Sequence, residues 1–481
     1  MGNPRCRRTH CPGNHSNGRK LKTCNTMIPD KLNSIYFLGI GGIGMSSLAR
    51  YFHQKGIKVL GYDRSPSRLT EELMAEGIDI HFDDNPSLIP SDVDLIIYTP
   101  AIPSDNLEYS YIVEKGIPMM KRSQILGWLT REKPTIAIAG THGKTTISTM
   151  TAKILSDSHL GCTAFLGGIS KNFQSNFIIN EASKWVVAEA DEFDKSFLEL
   201  KPQIAVISAI DPDHLDIYHD YENLVKAFKD FAGLLPAEGL LILKKGIENL
   251  LSTAYTCNKI TYSLNDPSAD YFARDISLNQ MKYSYSIQSP HAIIGPIQLK
   301  APAYINIENS VAAAAVALAA GCSNDEIIHG LSDFEGIRRR FDILYQSDDF
   351  VLIDDYAHHP EEIKALAISL RNLFPHRKLT AIFQPHLYSR TRDLAEGFSE
   401  SLSLFDEVFL MEIYPARERP IRGIDSLMIA KKINQPSHVV SREEAFREII
   451  SRKHQVVATI GAGDIEKLAL LAQENLNRQR L

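Results

Sequence analysis

Short apolar runs recur along the chain, and nearly every one ends in glycine or in charged side chains. Ser34-Ile35-Tyr36-Phe37-Leu38, Lys58 to Tyr62 and Asp92 to Thr99 form a first group. Pro134 to Ala139, Trp185 to Ala188 and Ile204 to Ser208 form a second. Phe350 to Ile353, Leu379 to Phe383, Val408 to Met411 and Val456 to Ile460 form a third. Continuous apolar runs of this length are the pattern of strands buried on both faces, which parallel sheets covered by helices require. Helical stretches lie between them, notably Met45 to Lys55, the segment after Gly143 through Leu155, and the alanine-rich Asn309 to Ala320. The predicted class is α/β, with repeated strand-then-polar-loop units whose loops gather on the rim where open sheets bind ligands. Residues 260–305 have no helical period and are rich in Ser, Asn, Pro and Tyr; they read as a cue for a boundary.

A chain of 481 residues exceeds a single compact core, so two to four domains are expected. Hydrophobic residues at 44% and charged residues at 23% are ordinary for a globular protein. The net charge of −6 argues against a general nucleic-acid binder. No apolar run reaches the roughly 18–20 residues that span a bilayer, and no apolar segment follows the basic N-terminus as in a secretory signal. A cytoplasmic protein with no membrane partner is expected, and the scattered Cys162, Cys257 and Cys322 offer no disulfide framework. Residues 1–30 are basic and poor in large apolar side chains, so they read as a disordered extension, with Met27 as the functional start. A metal knuckle from Cys6, His10, Cys11 and His15 is the competing reading, and it lacks a second ligand pair at zinc-finger spacing.

The first strand runs into Gly39-Ile40-Gly41-Gly42-Ile43-Gly44, then a helix, then a strand ending at Asp63. That is the dinucleotide fingerprint in its required context: glycines let a pyrophosphate approach a helix N-terminus, and the acid meets a ribose hydroxyl. Nicotinamide dinucleotide is the first reading; any nucleoside diphosphate satisfies the same physics. Thr99 and Ala101 fall at the carboxyl end of a later strand of that sheet.

The strand at 134–139 feeds Gly140-Thr141-His142-Gly143-Lys144-Thr145-Thr146. Backbone N–H groups of such a loop cradle phosphates, Lys144 reaches the β- and γ-phosphates, and the Thr145 hydroxyl ligates Mg²⁺. The usual pattern has glycine five positions before Gly143, where this chain has Ile138. Glu189, at the end of the next strand, is the second expected oxygen ligand for Mg²⁺, and His214 sits among acids in Asp211-Pro212-Asp213-His214-Leu215-Asp216. Further on, Arg338-Arg339-Arg340 can offset charge on a transferred phosphoryl group.

GIGGIGMS, AGTHGKTT, EADEFDKSF, DPDHLD, GIRRRFD, DDYAHHP and GAGDI, in that order, resemble the Mur ligase family over about residues 33–470. The resemblance implies three domains: a Rossmann-like UDP-sugar domain (31–131), a central P-loop ATPase domain with a mostly parallel sheet (132–333) and a C-terminal Rossmann-like amino-acid-binding domain (334–481). It implies ATP and Mg²⁺, and joining of L-alanine to the lactyl carboxylate of UDP-N-acetylmuramate through an acyl phosphate, by a monomer or homodimer. The first loop (Gly39, Gly41, Gly42, Ile43, Gly44, with Asp63, Thr99 and Ala101) then holds a UDP diphosphate instead of NAD. The ATP contacts implied are Gly140 through Thr146, Asn309 and Arg340. Thr145, Glu189 and His214 surround the metal. Lys144, Arg340, Asp355 and His358 are the implied catalytic set, and Tyr356, His386 and Arg390 meet the amino acid. Two positions depart from the family: Ile305 replaces a frequent histidine, and Leu387 interrupts the usual His-Arg-Tyr. A murein-tripeptide recycling ligase, an NAD-dependent oxidoreductase and a nucleotide-sensing module are the alternatives. Deleting residues 1–26 is expected to leave turnover intact; an inactive truncation would contradict the reading of that segment as an extension.

Overall fold

The computed structural model describes residues 31–416 and 418–479. The expected extension at 1–30, with Cys6, His10, Cys11 and His15, lies outside the described residues. The strands form three sheets. The first is all parallel, in the order Asp79–His81, Lys58–Tyr62, Ser34–Leu38, Leu95–Tyr98, Met119–Lys121. The strand Ser34–Leu38 is buried at every position, as its apolar run requires, and the sheet reverses direction of build on either side of it. The glycine loop leaves the sheet at that reversal and enters the helix Ile43–Gln54.

The second sheet has ten strands. Its parallel heart runs Asn258–Ser263, Leu240–Lys244, Ile204–Ile207, Thr135–Ala139, Val186–Glu189, Thr163–Ser170. Residues 260–305, which show no helical period in the sequence, are largely strand. Tyr271–Asn279 continues the same sheet parallel to Asn258–Ser263, and Lys282–Gln288 and Ile293–Leu299 follow it in antiparallel pairings. Burial alternates there: Tyr283, Tyr285 and Ile287 are buried while Ser284, Ser286 and Gln288 are only partly covered. A two-residue period hidden among polar residues escapes a reading that looks for continuous apolar runs. The alanine-rich helix begins at Ile305 rather than Asn309. Its small side chains, buried from Asn306 to Ala317, allow close packing on the helix Lys144–Asp157 that follows the phosphate loop. Asn306 and Asn309 consequently lie in its first turns.

The third sheet is ordered Asp342–Gln346, Val351–Asp355, Val456–Ile460, Leu379–Phe383, Glu407–Leu410, Ser437–Val439, parallel except at its first pair. Among the described residues, no helix is long and apolar enough to cross a membrane.

The first and second sheets are joined through the helix Arg122–Leu129, which packs on the turn Phe193–Glu199. Gly127 makes that approach possible, since a Cβ there would collide with the Glu199 carbonyl. Gly127→Ala is expected to destabilise the chain by about 1–3 kcal/mol, the usual cost of overpacking a close contact. It should lower the urea midpoint with the slope unchanged; an unmoved midpoint would show that the two elements can part freely.

Candidate active site

The phosphate loop is shaped by the strand beside it. Gly140 and Gly143 take φ of +131° and +83°, a region that side chains disfavour. A Cβ on Gly140 would collide with the Ser208 hydroxyl. The Thr141 N–H donates to the Ala209 carbonyl (3.0 Å), and Ser208 Oγ donates to the His142 carbonyl. Ile138, where a glycine is usual, is a fully buried strand residue paired with Val206 and Glu189. The loop therefore starts only at Gly140.

Lys144 Nζ donates to the Gly140 carbonyl (2.7 Å) and to both carboxylate oxygens of the fully buried Glu192 (2.7 and 2.8 Å). Burial opposes the lysine charge, but Glu192, Asp191 and Glu189 outweigh it and raise the pKa. Thr145 hydrogen-bonds Glu189, whose carboxyl also accepts from the Gly167 N–H (3.1 Å) and is pushed up chiefly by burial. His214 takes a strained φ of +53° and sits 3.9 Å from Glu192. Hydroxyl and carboxylate oxygens side by side suit a hard cation such as Mg²⁺.

The third sheet brings its own groups to this place. Arg340 faces Glu362 (3.3 Å) and lies over the Tyr356 ring (5.2 Å). Glu362 Oε2 also accepts from the His358 N–H (3.0 Å), and its other oxygen stands 3.6 Å from His142. Burial pushes Glu362 up, yet His358, His142 and Arg340 hold it well below its usual value. His358 goes the other way: burial, aided by Arg390 and opposed by Glu362, lowers it to about 4. Its Nδ1 lies 3.0 Å from the Tyr356 carbonyl, which makes Nδ1 the protonated nitrogen and leaves Nε2 as an acceptor. Asp355 accepts from the Phe341 and Ala357 N–H groups (2.7 and 2.8 Å), and burial lifts it to about 6 against the pull of Arg340.

Three cavities meet here. The largest, about 480 Å³, is lined from all three sheets' loops, by Gly41 and Ile43, by Lys144, Thr145, Glu189 and His214, and by Arg340, Tyr356 and His358. A second of about 420 Å³ lies behind the phosphate loop, with Gly143, Thr146, Asn309, Arg340 and Asp355 in its wall. Ile305 stands at this second cavity in place of the expected histidine. A third of about 210 Å³ is lined by Gly42, Ile43, Gly44, Thr99 and Arg122.

Some expected site residues stand apart. Asp63 accepts from the Gly41 N–H (2.7 Å), so its carboxylate braces the glycine loop itself. Gly39, at φ +87°, gives its N–H to the Tyr62 carbonyl, and Ala101 is exposed at the sheet's end. Arg390 is committed to Asp213 (2.9 Å), both side chains less than a tenth exposed. The His386 ring stacks on Tyr414 (5.7 Å) and lies 6.4 Å from His358. Glu192, Asp213, Glu362 and Arg122 were not singled out in the sequence. Glu362 lies in the first turn of the helix Pro360–Leu373, whose N-cap is His359, and an acid there reads as a helix-start signal; Arg122 belongs to none of the motifs.

Three family models match the chain in order. They are "Mur ligase family, catalytic domain" over residues 34–134, "Mur ligase middle domain" over 138–317 and "Mur ligase, glutamate ligase domain" over 339–463. A UDP-N-acetylmuramate–L-alanine ligase of Phocaeicola vulgatus is 47% identical over 442 residues, 90% of this chain and 96% of the relative. The enzyme of the same description from Flavobacterium johnsoniae is 43% identical over 453 residues, 93% and 99% of the two chains. The crystal structure of a UDP-N-acetylmuramate-alanine ligase from Thermotoga maritima matches with a TM-score of 0.79 at 27% identity, covering 93% of this chain and 99% of that one. A murein peptide ligase from Psychrobacter arcticus shares the fold at a TM-score of 0.69 and 23% identity, covering 92% and 99%. With three domain models in sequence and relatives of this identity across nearly its whole length, the chain belongs to the Mur ligase family.

Proposed function

We propose that this chain joins L-alanine to the lactyl carboxylate of UDP-N-acetylmuramate with ATP, releasing ADP and phosphate. The observation that carries the reading is the cavity of about 480 Å³ on which a glycine loop, a phosphate loop and the Arg340–His358 segment converge. Three substrates need such a junction, and each loop comes from a different sheet. We assign the units as 31–131 for the UDP-sugar, 132–333 for ATP and 334–481 for the amino acid. The first glycine loop opens toward this junction, which favours a UDP-sugar over a nicotinamide cofactor.

A carboxylate is a poor acyl donor until it carries a leaving group. The lactyl oxygen attacks the γ-phosphorus of ATP; that O–P bond forms as the bond from the γ-phosphorus to the β–γ bridging oxygen breaks and ADP departs. Lys144 and Arg340 offset the charge spread over the transferred oxygens, while the Gly140–Thr146 loop and Asn309 hold the nucleotide. Thr145, Glu189 and His214 are the residues that would hold Mg²⁺, which supplies positive charge beside the phosphates. The neutral amine of L-alanine then attacks the acyl carbon, the C–O bond to phosphate breaks, and the proton shed by the nitrogen passes to the departing phosphate or to solvent. Tyr356 lies beneath Arg340; Arg390, held by Asp213, and His386, beside His358, stand just outside the cavity and would meet the amino acid from its far end. Asp355 fixes the turn that presents Tyr356 and His358. A histidine lowered to about 4 is a weak base, so His358 accepts a hydrogen bond from the incoming amine and orients it.

ADP release should require UDP-N-acetylmuramate and be fastest with L-alanine among L-alanine, L-serine, glycine and L-Ala-γ-D-Glu-diaminopimelate. A preference for the tripeptide would move the assignment to peptide recycling. Lys144→Ala is expected to lower kcat by about 10²–10³-fold, as for other single donors to a developing charge; near-normal turnover would remove Lys144 from the transition state. The pH dependence has a definite sign. His358 is unprotonated above about pH 4, so its protonation depresses kcat only as pH falls toward that value. An inflection near the ordinary imidazole value of 6.5, abolished in His358→Gln, would instead show a titrating base.

A further inference from the structure

Only Arg340 of the three consecutive arginines enters the chemistry above. The other two point elsewhere, each to a different sheet. Arg339 turns to the third: its Nε pairs with Asp354 (3.2 Å) and its Nη2 donates to the Gly461 carbonyl (2.6 Å). Arg338 turns to the first. Its Nη1 pairs with Glu72 at 2.6 Å across 266 residues of sequence, and its Nη2 donates to Gln174 Oε1 at 2.8 Å. Its own N–H is fixed to the second sheet by the Ile169 carbonyl (3.0 Å). The Arg338 and Glu72 side chains are 19% and 25% exposed, so the pair is partly desolvated, where opposite charges attract more strongly than at an open surface.

Glu72 lies on the helix Arg68–Ala75. The first turn of that helix rests on the glycine loop: a Cβ at Gly41 would come within 2.8 Å of both Thr70 Cγ2 and Asp63 Oδ2. Gly41, Glu72, Arg338 and Lys144 line the same cavity. Displacing Glu72 therefore displaces the loop that faces the phosphate loop.

We propose that Arg338 is a positioning residue for the ligation, whose bond to Glu72 sets the UDP-sugar loop against the ATP loop. This rests on the function proposed above and adds a residue to it. Arg338 need not touch either substrate. Loss of the bond leaves both partners satisfied, since Glu72 keeps Arg68 (3.1 Å) and Arg50 (3.8 Å) and Arg338 keeps Gln174. Either single variant should therefore fold.

The test is a double-mutant cycle on the full chain with Arg338→Ala, Glu72→Ala and the pair, each substrate being varied in turn. We expect the KM for UDP-N-acetylmuramate to rise about tenfold in each single variant and by the same factor in the double, since one bond is broken in all three. The KM for ATP should stay within about twofold, and Arg338→Lys should recover part of the loss by keeping the charge without the fork. An unchanged UDP-sugar KM in Arg338→Ala, factors that multiply in the double variant, or an equal rise in the KM for ATP would each overturn the proposal. A wild-type chain that releases no ADP with UDP-N-acetylmuramate would instead overturn the ligase reading itself.

Discussion

The structure is organised around the charge of Lys144. An ammonium group held among Glu189, Asp191 and Glu192, with one of them fully buried, is tolerable only if opposite charges balance at close range. The same balance is struck again across the cleft, where Asp213 meets Arg390 and Glu362 meets Arg340 and His142. These carboxylates do not come from one element. Those of the second sheet sit at a strand end or in the turns that follow, and Glu362 in the first turn of the helix after a strand of the third, so satisfying them requires the sheets to face one another rim to rim. Packing and the proposed catalysis thus share one requirement: a cluster of buried charge that no single sheet can neutralise.

Much of this was legible in the sequence. Ser34–Leu38, Lys58–Tyr62 and Leu379–Phe383 were read residue for residue, because a strand buried on both faces is apolar throughout and its ends are marked by glycine or charge. The turn from strand to helix at Gly140–Gly143 was equally plain, since glycines after an apolar strand mark it. The hairpins between 271 and 299 were not visible. Their buried face is built from tyrosines alternating with serine and glutamine, and composition alone reads that as loop. Several helix and strand ends also differ by a few residues, most usefully at Ile305, which places the two asparagines in the first turns of a helix beside the cavity of about 420 Å³.

The pairings across the molecule are a different kind of information. Glu72 and Arg338 are far apart in the chain, and nothing in either local segment names the other. Glu362 reads in the sequence as an ordinary first-turn acid of the helix Pro360–Leu373, and it, Arg122 and Asp213 acquire meaning only when the sheets are placed together. The motifs say what chemistry is available; the fold decides which carboxylate each cation is spent on. Asp63 shows the difference well. Its pattern suggests a ribose contact, while its carboxylate is bonded to the loop it follows.

The docking of the first unit has one more effect. The ten-stranded sheet ends on one side at Ser175–Ile178 and on the other at Ile293–Leu299. A bare sheet edge is a template for pairing with another chain. Pro296, which has no N–H to offer, and the packed helix Asn324–Ser332 guard the far side. On the near side the guard is the helix Ile43–Gln54: Asn176 donates to the Ile43 carbonyl (2.6 Å) and accepts from Arg50 (2.5 Å). The unit proposed to bring in the sugar nucleotide is therefore also a cover for an adhesive edge. A wide outward swing would uncover it, so colloidal stability, as well as catalysis, sets a limit on how far the enzyme can open.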